Sequence, residues 1–227
     1  MINVLILAGG FGTRLLKVVK DIPKPMAPVN NQPFLGHQLK LISKSLTDYH
    51  VYVLTHHKSE IIERFVENMS NVSVIKESKP LGTGGAIKHA LQKINDNKSK
   101  ILILNGDSYV DTDLSKFING SKGDINILCC KQENCDRFAT VEINNNLICK
   151  FNEKKSNVRN SYISAGCYYF KNTKFFDIID EDVFMIENIF EKICQNNMVY
   201  GYICNNTFFD IGIPEDYKMF CEYMKNE

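Results

Sequence analysis

An apolar run, Ile2–Leu7, leads straight into Ala8-Gly9-Gly10-Phe11-Gly12-Thr13-Arg14-Leu15. The run reads as a core strand, and the glycines after it as a tight turn. Glycines let backbone approach a ligand and expose consecutive N–H donors to phosphate oxygens. Arg14 stands two residues past the last glycine, and Lys24 follows ten residues later between Pro23 and Pro25. Backbone donors with two cations describe a polyphosphate site, with charge aimed at a reacting phosphoryl group.

Spacing excludes two common nucleotide sites. A P-loop needs Gly-Lys-Ser/Thr, but Gly12 is followed by Thr13-Arg14. A dinucleotide fingerprint needs a small residue where Leu15 stands and an acid after the second strand. That strand, Val51–Leu54, runs into Thr55-His56-His57. The plain alternative is an ordinary strand–turn–helix with a surface Lys-Pro.

Farther along, strand-like runs alternate with amphipathic stretches. Strands are expected near Asn3–Leu7, Val51–Leu54, Val72–Ile75 and Ile101–Leu104, and helices near Phe34–Ser45, Ser59–Asn68 and Gly84–Ile94. This is the pattern of an α/β chain, with a Rossmann-like, mixed but mostly parallel central sheet flanked by helices. Ligands on such sheets bind at the carboxyl ends of strands, so Gly9–Gly12 and Asn105–Asp107 should meet at one crevice. The second half turns β-rich at Ile125–Cys130, Ala139–Ile143, Leu147–Phe151 and Tyr162–Phe170, with a hairpin turn at Asn144–Asn146. Helices return at Glu187–Gln195 and Pro214–Tyr223. No linker divides the 227 residues, so one domain is expected, with halves of about 1–122 and about 123–227.

A net charge of +1 offers no general attraction for nucleic acid or an anionic membrane, so phosphate binding must be local. No apolar run approaches the length of a membrane span. No basic n-region precedes the first strand, so no signal peptide is expected. The eight cysteines form no C-x-x-C pair and mostly lie in apolar runs, which suits free thiols in a reducing cytoplasm.

Gly9-Gly10-Phe11-Gly12-Thr13-Arg14-Leu15 followed by Pro23-Lys24-Pro25 resembles the N-terminal signature of the sugar-1-phosphate nucleotidylyltransferase family. The resemblance recurs at Pro80-Leu81-Gly82-Thr83-Gly84-Gly85-Ala86, Asn105-Gly106-Asp107, Phe151-Asn152-Glu153-Lys154 and Phe209-Asp210-Ile211-Gly212-Ile213-Pro214. The run Lys20–Pro28 and the short chain are most similar to the bacterial D-glycero-D-manno-heptose 1-phosphate guanylyltransferases within it. The implied reaction is attack by a sugar 1-phosphate oxygen on the α-phosphorus of a nucleoside triphosphate, GTP above all, with pyrophosphate leaving. The product would be a GDP-sugar for surface glycans.

By that resemblance Arg14 holds the β- and γ-phosphates and Lys24 stabilises charge at the α-phosphate. Leu7, Ala8, Gly9, Gly10, Gly12 and Thr13 would wrap the nucleotide. Pro80, Gly82, Thr83 and Asn105 would meet its base and ribose. Asp107 and Asp210 are the candidates for a magnesium ion, which takes one or two carboxylates with phosphate oxygens and water. Asp107 could instead cap a helix or close an Asx turn, and Asp210 could cap the helix that opens at Pro214. Asp111 and Asp113 read as the cap of the next short helix.

Glu77, five residues before Gly82, stands where thymidylyl and uridylyl relatives commonly carry Gln. A carboxylate only accepts hydrogen bonds, which suits the two donors of guanine's Watson–Crick edge. Glu153 and Lys154 resemble the family's sugar-phosphate pair, though they also read as an exposed turn. Gly166 resembles its sugar-contacting glycine. Ser164 and Ala139 depart from the Asn and Gly common at those positions and leave the sugar open. His56, His57 and His89 are assigned no role, and Phe208 and Phe209 are expected in the core. The sequence leaves the choice between monomer and homo-oligomer open. Rival readings are a mannose-1-phosphate guanylyltransferase, a glucose-1-phosphate thymidylyl- or uridylyltransferase, a cytidylyltransferase for a non-sugar phosphate, and a silent nucleotide-sugar sensor. A hydride-transferring dinucleotide enzyme is disfavoured by Leu15.

Overall fold

The computed structural model describes residues 1–10, 12, 15, 19, 21–95 and 100–225. Strand β1 (Ile2–Leu7) opens the fold, and a hairpin of β2 (Pro28–Val29) and β3 (Gln32–Pro33) leads into helix α1 (Phe34–Ser45). Then come β4 (Tyr49–Thr55), α2 (Ser59–Val66), β5 (Val72–Lys76), α3 (Gly82–Ile94) and β6 (Ile101–Asn105). A short strand β7 (Ser108–Val110) and helix α4 (Leu114–Gly120) close the α/β half. The β-rich half follows with β8 (Ile125–Asn134), β9 (Thr140–Asn144), β10 (Leu147–Asn152) and β11 (Arg159–Phe170). Helices α5 (Lys174–Asp177) and α6 (Ile186–Cys194), strands β12 (Val199–Cys204) and β13 (Phe208–Asp210), and helix α7 (Pro214–Tyr223) finish it.

One nine-stranded sheet carries both halves, in the order β5-β4-β1-β6-β11-β8-β12-β10-β9. The first four strands are parallel; beyond β6 only the β8–β12 joint is. The chain moves outward from β1 to β4 and β5, then returns to β6 on the other side of β1. That reversal opens a crevice past the ends of β1 and β6. At the far end β9 pairs with β10 and also with Tyr162 and Ile163 of β11, so the sheet curls back on itself.

Alternation along β1 divides the interior in two. Val4 and Ile6 join one core with Phe34, Ile42, Phe117 and Phe220 from the helices on that face. Leu5 faces the opposite core with Ile87, Ala90 and Phe190. Both faces of β1 are covered, which explains why its sequence is nearly all apolar. Phe209 is buried as expected, and Phe208 packs edge-on against Phe138. All eight cysteines are free thiols. Asp113 caps α4 by accepting from Ser115 N–H at 2.9 Å. Asp111 is no cap, because its carboxylate accepts from the Tyr223 hydroxyl at 2.7 Å.

One strand of the nine-stranded sheet was not expected from sequence. Val199–Cys204 lies between β8 and β10, parallel to β8. Gly201 breaks its apolar run, yet Gly201 is what fits: a Cβ there would stand 2.9 Å from the Ile143 side chain.

Candidate active site

The glycine turn and the Asn105–Asp107 turn line one cleft of about 330 Å³ at the crevice between β1 and β6. Gly12 adopts φ +62°, and a Cβ on it would lie 3.3 Å from Lys24 Cβ. The turn therefore brings glycine backbone against the lysine. Gly106 donates its N–H to the Leu7 carbonyl at 3.0 Å, and a Cβ there would be 2.5 Å from that oxygen. Only glycine lets the second turn seat so closely on the end of β1. Leu7, Ala8, Gly9, Gly10, Asn105 and Asp107 all reach the cleft. Thr13 and Arg14 lie outside the described residues.

Lys24 opens a short 3-10 turn, Lys24–Met26, with Pro25 buried behind it. Its side chain is only 12% exposed, and Nζ donates to Asp107 Oδ2 at 2.8 Å. That is no solvated surface lysine. Strand β13 pairs antiparallel with β7, setting Asp210 opposite Ser108, and Ile211 N–H donates to the Asp107 carbonyl at 2.9 Å. Two short strands thus carry the two aspartates together from 103 residues apart (210 − 107). Neither aspartate caps a helix: Ile213 stands at the N-cap of α7.

Burial raises the Asp210 carboxyl above the ordinary carboxylate range, and the Asp107 charge raises it further. Gly212 N–H, Lys24 and Arg137 act the other way. Gly212 N–H reaches Asp210 Oδ1 at 2.6 Å, where a Cβ on Gly212 would collide. Arg137 lies 3.9 Å from the same oxygen, pairs with Asp216 and stacks over the Phe138 ring. Sequence reasoning missed Arg137, whose approach to Asp210 depends on how β8 leads into its loop. A second cavity of about 540 Å³ opens beside Arg137 and Asp210.

At the other end of the cleft Glu77 is 5% exposed. Its Oε2 accepts from Leu81 N–H at 3.2 Å, and its Oε1 would stand 3.0 Å from a Cβ on Gly9. Burial raises its pKa, opposed by the Leu81 N–H and by His56. His56, given no role from sequence, also holds the Glu77 carbonyl through Nδ1 at 3.1 Å. Pro80, Gly82 and Thr83 line this end with Met185. Gly84 and Gly85 do not face the cleft with open donors, because both N–H groups go to the Phe184 carbonyl, at 3.0 and 3.2 Å. Segment 182–185 lies directly on these glycines. A Cβ at Gly82 would be 2.5 Å from Phe184 O, and one at Gly84 or Gly85 would collide with the Phe184 ring or the Asp182 carbonyl. The glycine run is shaped by this strap as well as by the cleft.

The sugar-phosphate candidates are not all brought together. Gly166, φ +66°, sits where β11 leaves β9 for β6, and a Cβ there would collide with Asn105 Nδ2 at 2.6 Å. Gly166 therefore backs the cleft through Asn105. Glu153 and Lys154 lie exposed after β10, outside the lining of this cleft.

The chain matches the nucleotidyl transferase family over residues 3–226. It is 36% identical over 222 residues to the D-glycero-alpha-D-manno-heptose 1-phosphate guanylyltransferase of Campylobacter jejuni subsp. jejuni serotype O:2, covering 95% of this chain and 97% of that protein. A protein of the same description from Aneurinibacillus thermoaerophilus is 33% identical over 221 residues, 94% of each chain. The crystal structure of HddC from Yersinia pseudotuberculosis complexed with GMP-PN is similar at TM-score 0.83 and 31% identity, over 99% of this chain and 100% of that one.

Proposed function

We propose a specific reaction for this chain, which belongs to the nucleotidyl transferase family. GMP passes from GTP to D-glycero-α-D-manno-heptose 1-phosphate, pyrophosphate leaves, and a GDP-sugar results. The descriptions of the two relatives support the substrates. The observation that carries the chemistry is the shielded Lys24–Asp107 pair beside Asp210, at a cleft floored by glycine backbone.

A sugar-phosphate oxygen attacks the α-phosphorus while the bond to the β-bridging oxygen breaks. Positioning and charge neutralisation are the main tasks. Lys24 is already largely desolvated, so it can turn from Asp107 to an α-phosphate oxygen at little further cost. Arg14 is the proposed partner of the β- and γ-phosphates, as a planar fork suited to their oxygens. Leu7, Ala8, Gly9, Gly10, Gly12 and Thr13 are proposed for the triphosphate, and Glu77, Pro80, Gly82, Thr83 and Asn105 for the nucleoside. Glu153, Lys154 and Gly166 are proposed for the sugar phosphate, with the nucleotide handled by about residues 1–122 and the sugar by about 123–227.

Asp107 and Asp210 fit a divalent cation. No cluster of three or more His, Cys, Asp or Glu side chains exists among the described residues, and magnesium asks for only one or two carboxylates. Burial first, and the Asp107 charge second, raise the Asp210 carboxyl, and a cation beside the two acids would offset both. Bound there, magnesium would supply Lewis-acid charge to the phosphate oxygens. A cytoplasmic location belongs to the same proposal, on the strength of eight free thiols. No helix among the described residues is long and apolar enough to cross a membrane.

The test is pyrophosphate release with magnesium, crossing the common nucleoside triphosphates with heptose, mannose and glucose 1-phosphates. Release with GTP and the manno-heptose phosphate supports the reading. Release with another pair corrects the substrates, and none with any pair overturns it.

A further inference from the structure

Thr83 lines the cleft, but its hydroxyl is held from outside it. The hydroxyl donates to Glu187 Oε2 at 2.7 Å and accepts from Ile186 N–H at 2.9 Å. The other Glu187 oxygen accepts from the Tyr168 hydroxyl at 3.2 Å. Tyr168 is buried in the sheet and Ile186 in the second core, so both partners are fixed. A hydroxyl has one proton and two lone pairs. A carboxylate can only accept, so Thr83's proton cannot turn away from Glu187 without stranding it. Toward the cleft, Thr83 can offer its remaining lone pair and never a proton.

Glu77 faces the same end of the cleft with the same polarity. Its Oε2 is engaged by Leu81 N–H, and Oε1 stands against Gly9. Two acceptors therefore stand where the nucleobase is proposed to lie. Guanine sets two donors side by side, N1–H and the 2-amino group. Adenine, cytosine and uracil each place an acceptor next to their donor. An acceptor facing an acceptor is repelled and leaves both unpaired, which a closed site penalises heavily.

We infer that Glu187 is a positioning residue for nucleobase choice, locking Thr83 as an acceptor so that the cleft selects guanine. The inference rests on the nucleotidyl transfer proposed above and adds the device that sets its base. The start of α6, following the strap of residues 182–185, thereby ties the second half of the chain to the nucleotide pocket through one carboxylate.

The experiment compares GTP, ITP and ATP by kcat/KM in pyrophosphate release, for the full chain and for Glu187→Gln, Thr83→Val and the double variant. An amide at 187 can donate to Thr83 and release its proton toward the cleft. We expect Glu187→Gln to lower the GTP-to-ATP ratio about tenfold or more through KM, and to do nothing further in the Thr83→Val background. Merely structural damage would depress all three nucleotides together and leave the ratio where it was. An unchanged ratio in Glu187→Gln, an undiminished Glu187→Gln effect in the Thr83→Val background, or a parent enzyme indifferent to the base overturns the inference while leaving nucleotidyl transfer standing. Absence of pyrophosphate release from every triphosphate fails the functional reading itself. Should Glu187→Gln not fold, Thr83→Val alone decides: it must weaken GTP more than ATP.

Discussion

Lys24 Nζ lies 2.8 Å from Asp107 Oδ2, joining a proline-flanked turn to the loop after β6 across 83 positions of sequence. Both residues line the cleft beside the glycine turn, where the lysine has already lost most of its water.

From that relationship we expect Lys24→Ala to reduce turnover about a hundredfold or more, the scale for removing one group that meets developing charge. Nucleotide affinity should fall much less, because backbone N–H groups and other side chains share the triphosphate. Steady-state kinetics with a parallel nucleotide-binding titration separate the two. Turnover near that of the parent enzyme would remove Lys24 from the chemistry.

Asp210 gives a pH-dependent expectation. Its carboxyl is raised by burial and by Asp107, so the unfolded chain loses this proton before the folded one does. Stability therefore falls as pH rises through the window from the ordinary carboxylate pKa to the raised one, and stays lower above it. Asp210→Asn removes that penalty and can still accept from Gly212 N–H. Without metal the variant should melt above the parent at neutral pH and converge with it in acid. Each ~1 kcal/mol of relief is worth about 2–4 °C in a chain of this size. Magnesium should raise the melting point of the parent and not of the variant. A variant that melts lower at neutral pH would contradict the assignment of cause.

Much of this site was legible before any coordinates. Strands β1 and β6 are nearly continuous apolar runs because cores cover both of their faces, and the glycine turns punctuate their ends. Asp107 and Asp210 were legible only through resemblance to a family, since the β7–β13 pairing that joins them spans three residues on each side. The strap was not legible at all. Asp-Glu-Asp-Val-Phe-Met reads as an acidic loop, and its role depends on the Phe184 carbonyl reaching two helix N–H groups. Val199–Cys204 was hidden by Gly201, whose missing side chain is what packing demands.

Two glycines should separate folding from binding. Nothing lies within 4 Å of a Cβ placed on Gly10, which faces the cleft. Gly10→Ala should leave the melting temperature nearly unchanged and raise KM for the triphosphate. A Cβ on Gly85 would collide with the Asp182 carbonyl, which cannot rotate away as a side chain could. Gly85→Ala should destabilise by about 1–3 kcal/mol, the usual cost of overpacking. Calorimetry with kinetics on both variants checks this, and equal melting points would show that the strap yields freely.

Glu77 sets the last expectation. Buried with one oxygen on Leu81 N–H, it titrates above the ordinary carboxylate range, mainly because burial disfavours its charge. As pH falls through that raised pKa the carboxyl takes up a proton, and one of its oxygens becomes a donor. A donor facing guanine N1–H or the 2-amino group is repelled, so KM for GTP should climb on the acid side while KM for ATP moves little. Glu77→Gln places a fixed donor there at every pH. The variant should lose GTP preference about tenfold or more and lose the acid-side rise in KM with it. Its stability should change in the opposite sense, improving at neutral pH where the parent must bury a charge. Profiles of kcat/KM against pH for both nucleotides, with melting curves at the same points, test the three expectations together. A GTP preference that survives Glu77→Gln would move base recognition away from this carboxylate.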